Sequence, residues 1–243
     1  MATKGTNRTV YKNRPLTVPE QIAECITQAI LNGDYRPGDR ILELDLAEQF
    51  HTSRGPIREA LRILEKSGVV TLLPHRGAHV TTMTTDEVDN LFQIRRDLMR
   101  LLIRSVAPAS AEVLAQLEHH VAKLEALDLH HSTPAAYTSG TRRASDLLFS
   151  TCRNGQLTEI LQTLSLQTAR YTQLAFNDLQ RRRDSVAGWR QLVEALKTNE
   201  VERAGSVLEN LIEQSRLAAR KALTGQNPPA KALASTSGIK ASS

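Results

Sequence analysis

The chain has 243 residues and a formal net charge of +5, with 40 % hydrophobic and 4 % aromatic residues. That is length for two compact domains, with cores built mostly from Leu, Ile, Val and Ala. No apolar run approaches the ~20 residues that cross a bilayer, and the first fifteen residues have no apolar stretch of a secretory signal. No membrane role and a cytoplasmic location are therefore expected. Cys25 and Cys152, the two cysteines, lie far apart on apolar helical stretches and read as buried, reduced thiols.

Residues 1–15 form a basic arm carrying Lys4, Arg8, Lys12 and Arg14 and no acid. A head spans 16–82. It opens with a helix from about Pro19 that would bury Ile22, Ile26, Ile30 and Cys25 and end at Asn32-Gly33. Pro37-Gly38-Asp39 is a turn. A short helix follows, with Leu42, Leu44, Leu46, Ala47 and Phe50 facing inward. Ser53 is placed to cap the next helix through its hydroxyl, and Pro56 sits in the first turn, where its missing N–H costs little. Ile57, Ala60, Leu61 and Leu64 recur at helical spacing. Arg54, Arg58, Arg62 and Lys66 fall four apart and make one basic stripe, ended by Gly68. Two β-prone runs, 69–73 and 78–82, flank the turn Pro74-His75-Arg76-Gly77.

Charge is partitioned along this head. Residues 51–82 carry a net +3 and residues 16–50 a net −5, so the acidic helices would face away from a phosphate backbone and the basic helix toward it. A stripe of Arg at four-residue spacing is also common on solvated helices. The cap, Pro56, Gly68 and the Arg-Gly hairpin tip weigh against that plainer reading and predict a winged helix-turn-helix.

From Thr84 to about residue 222 nearly everything reads as helix. Thr84-Thr85-Asp86-Glu87 caps the first of six, whose apolar stripe is Val88, Leu91, Phe92, Leu98, Leu102 and Val106. Helices over 110–128, 135–152, 156–177, 183–198 and 200–223 follow. His130-His131 sit in a loop, and His119-His120 point outward. The run Arg181-Arg182-Arg183-Asp184 reads as a solvated helix start. The tail, 224–243, is small and polar and is expected to be disordered. The predicted fold class is mostly α: an N-terminal winged helix-turn-helix, then an all-α six-helix body over 83–223.

The pattern PGDRI-L-LA-F--SRGPIREALRILE--GVV, with the later RGA-V, resembles the DNA-binding domain of the GntR family of bacterial transcription regulators. The resemblance implies a homodimer that reads a palindromic operator in double-stranded DNA, one helix in the major groove and the wing tip in the minor groove. It places DNA contacts at Ser53, Arg54, Gly55, Pro56 and Arg58 and, in the wing, at His75, Arg76 and Gly77. Arg54 and Arg58 are the candidates for base edges, because a guanidinium pairs bidentately with guanine. Family members often carry Thr where this chain has Gly55, which removes one phosphate contact.

The helical body resembles the FCD ligand-binding domain of one GntR branch, through IRRDLMRLLIRSVA, ASDLLFSTCRNGQL, WRQLVEAL and ERAGSVLENLI. Many such domains hold a divalent metal with one Asp and three His. Here the matching positions are Asp146, Ser150, Trp189 and Asn210. Trp has no lone pair to donate, and neutral Ser and Asn oxygens bind transition metals weakly. No metal and no cofactor are therefore expected. An effector, read as a carboxylate-bearing small molecule, would be gripped by Arg95, Arg143 or Arg170, with Asp146, Ser150, Trp189 and Asn210 around it. Trp189 could instead fill the lost metal space as core.

The function that follows is a regulator, of repressor type, whose operator affinity an organic acid modulates. The alternatives are a DNA-binding dimer with no effector and a helical hydrolase-like enzyme. No Gly-rich phosphate loop or nucleophile elbow supports the enzyme.

Overall fold

The computed structural model describes residues 15–127 and 132–226. The basic arm, the His130-His131 pair and the tail beyond 226 lie outside the described residues.

The head begins with α1 (Val18–Asn32). Thr17 and Glu20 form a reciprocal capping box at its start, and Gly33, at φ 90°, closes it. Strand β1 (Arg40–Ile41) precedes α2 (Glu43–Gln49) and α3 (Arg54–Lys66). Strands β2 (Val70–Leu73) and β3 (Gly77–Val80) make the wing. The sheet order is β1-β3-β2, antiparallel throughout, with Arg40 opposite His79 and Leu72 opposite Ala78. β1 was not foreseen: two residues are too few to show a period of two.

The body consists of α4 (Thr85–Val106), α5 (Ala111–Ala126), α6 (Pro134–Thr151), α7 (Gly155–Ala175), α8 (Leu179–Lys197) and α9 (Val201–Gln226). The expected cap of Thr84 with Glu87 recurs on α4, and Ser110 and Asn154 cap α5 and α7. α9 runs three residues past the expected 223. α4 and α9 make the most extensive helix pairing. A charged ladder seals their edge through Arg96–Glu213, Arg100–Glu209 and Arg104–Glu202.

The apolar side chains gather into two separate clusters. One holds Ile26, Ile41, Leu46, Ile57, Leu61 and Val80 of the head. The other holds Phe92, Met99, Leu102, Tyr137, Phe149 and Trp189 of the body. Fully buried aromatics such as Phe92 are each worth about 3–5 kcal/mol against Ala.

Several inward assignments fail. Leu42 and Leu44 are exposed because α2 is only seven residues long and presents just Leu46 and Ala47 to the core. Cys25 is exposed, since α1 turns Ile22 and Ile26 inward and Cys25 lies off that face; Cys152 is half-buried at the end of α6, and both are free thiols. The opposite error holds at the start of α8. Arg181 and Arg182 are buried, because the chain turns at Phe176 and drives that helix end into the body.

Candidate nucleic-acid interface and effector cavity

α3 is strongly two-faced. Ile57, Ala60, Leu61 and Leu64 are buried to 2 % exposure or less, while Arg54, Arg58, Arg62 and Lys66 all lie exposed along the other side. Anchoring one face in the head core fixes the direction of the other, so the basic stripe is presented on a rigid element. Arg54 opens the helix and Ser53 stands at its N-cap position, exposed; its hydroxyl makes no capping bond, contrary to expectation. That leaves the hydroxyl and the first amides open to another acceptor. Gly55 and Pro56 occupy the first turn. A Cβ on Gly55 would meet only Ser53 Oγ, at 3.9 Å.

The wing tip is Pro74, His75 and Arg76, all exposed, with His75 at φ 61° and Gly77 at φ 82°. Arg76 N–H donates to Leu73 O at 3.0 Å to close the turn. Arg40 on β1 lies beside Gly77, its Nε 3.6 Å from where a Cβ would sit. Sequence reading missed this exposed cation, because only the unforeseen β1–β3 pairing brings it to the wing.

The body contains a cavity lined by α4, α6, α7, α8 and α9. The space open to the centre of a water molecule is about 50 Å³. At ~10–15 Å³ per water, that is room for about four waters or one small molecule. Arg95, Arg142 and Arg181 reach it, along with hydroxyls such as Ser165 and Thr172, and Trp189 walls it. Arg95 is buried, and its Nη1 donates to Thr168 Oγ1 at 3.0 Å. Burial brings its pKa down to about 10, and Asp146 acts in the opposite sense. Arg181 donates to Leu211 O and Ser215 Oγ, each at 2.9 Å, and burial lowers its pKa too.

The expected effector residues divide. Arg95 and Trp189 come together in this cavity. Asp146 stands just outside it, in a cleft facing α1, with its pKa raised by burial against the pull of Arg142 and Arg95. Ser150 and Asn210 are exposed and do not line the cavity. Ser150 Oγ donates to Leu147 O. Arg143 is exposed beside α1. Arg170 stacks on Tyr171 at the seam between head and body and hydrogen-bonds its hydroxyl. Helix register is the cause: one residue along α6 or α9 swings a side chain by about 100°. Arg142 was not singled out in the sequence, and Arg181 was read only as part of a solvated charge run.

The metal positions implied by the resemblance do not fit a metal here. Ser150 and Asn210 are exposed while Trp189 is buried, and among the described residues no three His, Cys, Asp or Glu side chains gather as ligands.

Comparison with known proteins bears on the fold and family. The model for "Bacterial regulatory proteins, gntR family" matches residues 19–80, and that for the FCD domain matches 90–214. An uncharacterized HTH-type transcriptional regulator of Bacillus subtilis, YdhC, is 35 % identical over 122 residues, covering 50 % of this chain and 54 % of that protein. The Escherichia coli HTH-type transcriptional repressor GlaR is 31 % identical over 105 residues, covering 41 % and 47 %. The match thus spans about half the length of these curated relatives. The solved structure of E. coli McbR/YncC superposes with a TM-score of 0.76 at 19 % identity, over 85 % of this chain and 99 % of that one, and shares the fold. With a matched head and a matched helical body, the chain belongs to the gntR family of bacterial regulatory proteins, in the branch that carries an FCD domain.

Proposed function

We propose that the chain is a DNA-binding transcriptional regulator, a repressor whose grip on its operator a small acid modulates. The observation that carries the reading is the exposed stripe Arg54, Arg58, Arg62 and Lys66 on a helix whose opposite face is locked in the head core. Arg54 and Arg58 read base edges in the major groove, Ser53 and the amides after it hold phosphate, with Gly55 and Pro56 keeping the backbone close, and His75, Arg76 and Gly77 enter the minor groove. Arg40 adds a phosphate contact at the base of the wing.

Two copies acting on a palindrome follow from the family's docking geometry. Ile94 and Leu101, 50 % and 48 % exposed and two turns apart on α4, supply an apolar stripe for the second copy. The buried guanidiniums of Arg95 and Arg181 supply the charge for a carboxylate-bearing effector. Such a protein works in the cytoplasm, where the DNA is.

A mobility shift on the DNA upstream of its own coding sequence, with and without small acids, tests this. Specific retardation, weakened by at least one acid, supports the reading. Retardation that every acid leaves unchanged removes the effector, and no retardation removes the regulator.

A further inference from the structure

Three guanidiniums in the body cavity have nitrogens that no atom among the described residues satisfies. Arg95 Nε, Arg142 Nη1 and Arg181 Nε are buried without an acceptor, and the hydroxyls of Ser165 and Thr172 are likewise without a partner. Among the described residues no Asp or Glu lines the cavity. Arg95 and Arg181 are buried cations with no carboxylate on the cavity wall, which is costly, so this arrangement awaits negative charge from outside. The charge also sets its size. Asp146, 3.7 Å from Arg142 and also felt by Arg95, supplies one negative charge shared among the three cations; once Arg142 leaves Glu24, a dianion supplies the other two. The small volume excludes a bulky ligand.

Arg142 belongs to two places at once. Its side chain lines the cavity and also the cleft between α6 and α1 of the head. There its Nη2 lies 3.9 Å from Glu24 Oε1. Neither this distance nor the one to Asp146 is a hydrogen bond, so Arg142 is attracted to both carboxylates and fixed by neither. Its Nη1 meanwhile sits buried with nothing to donate to.

Resting on the reading of this cavity as the effector site, we propose that it takes a small dianion that competes with Glu24 for Arg142, so that occupancy loosens α1 of the DNA-binding head from the body. An empty cavity leaves Arg142 shared with Glu24 and the head held. A filled one draws Arg142 inward, and the charge link across the cleft is lost. Thermodynamic reciprocity then requires that weakening the Glu24 link strengthens ligand binding.

The test uses the full chain, with sulfate and malonate as dianion probes and acetate as a monoanion, at constant ionic strength. Thermal shift gives affinity, and amide exchange over residues 18–32 gives the docking of α1. Sulfate and malonate should bind more tightly than acetate. Glu24→Gln should raise dianion affinity by up to about fivefold, Arg142→Gln should abolish that gain, and sulfate should speed exchange in α1 of the wild type alone. Dianions that bind while Glu24→Gln leaves their affinity unchanged overturn the competition but not the effector site. Acetate binding as tightly as the dianions overturns the charge requirement. No saturable binding of any of the three overturns both this proposal and the effector reading. Should Arg142→Gln fail to fold, Glu24→Gln and the exchange measurement still decide.

Discussion

Arg58 Nε donates to Glu43 Oε2 at 2.8 Å and ties α3 to the first turn of α2. Both side chains are well exposed, so the pair is worth only about 0–1 kcal/mol. It does hold one of the two proposed base readers in place without DNA. If Glu43 sequesters Arg58, Glu43→Gln raises operator affinity by up to about fivefold, the equivalent of ~1 kcal/mol. Fluorescence anisotropy on a labelled duplex checks this, and a fall in affinity would mean that Glu43 presents Arg58 instead of withholding it.

The stripe on α3 divides by role. Arg54→Ala and Arg58→Ala should each cost about 1–3 kcal/mol of operator binding and relax specificity at one base position, whereas Lys66→Ala should weaken all sequences alike and reduce the salt slope by about one. Titrations at several salt concentrations, on operator and on scrambled DNA, separate the two behaviours.

Two glycines should respond oppositely to a side chain. Gly55 lies in right-handed helix, where an added Cβ meets only Ser53 Oγ at an ordinary 3.9 Å, so Gly55→Thr should gain a few tenths of a kcal/mol, about the propensity difference, and keep DNA binding. Gly68 sits at φ +72°, with Gln167 Nε2 only 2.2 Å from where its Cβ would be. Gln167 can swing aside, so the backbone sets the cost of Gly68→Ala, about 1–2 kcal/mol. Chemical denaturation of the two variants checks both signs.

Stability should also fall in acid through the α4–α9 edge. Glu213 accepts from Arg216 at 2.7 Å and from Arg96 at 3.4 Å, and these bonds hold its pKa below the ordinary 4.5. A carboxylate with a depressed folded pKa contributes stability that is present above its unfolded value and lost as pH falls through the folded one. Thermal midpoints should therefore drop below about pH 4.5, and Glu213→Gln should flatten part of that drop. Asp146 works the other way. Burial raises its pKa, so its protonation favours the folded state as pH falls toward 4, and Asp146→Asn should steepen the acid loss.

Much of this architecture is legible in the residues, and unevenly. The recognition helix is the clearest case: Pro56, the spacing of Ile57, Ala60, Leu61 and Leu64, and Gly68 all specify the same element. The box Thr84–Glu87 announces α4 as plainly. The effector side is less legible because it depends on which way helices turn after loops. Arg182 is buried because its Nε reaches Phe176 O at 2.7 Å and its Nη1 reaches Ser132 O at 2.9 Å; neither carbonyl is visible in a run of Arg. Ser150 and Asn210 illustrate the same limit. Their positions in a motif are readable, but their helix faces are set by how α6 and α9 pack.

The central claim is that the Arg54–Arg58 face of α3 grips duplex DNA in a twofold manner. Nuclease footprinting across the upstream region of the gene tests it most directly, with wild type beside the Arg54→Ala, Arg58→Ala double variant. The account predicts two protected half-sites with centres about one helical turn apart, erased in the double variant at equal protein concentration. An unprotected region, or a footprint that the double variant leaves intact, would contradict it.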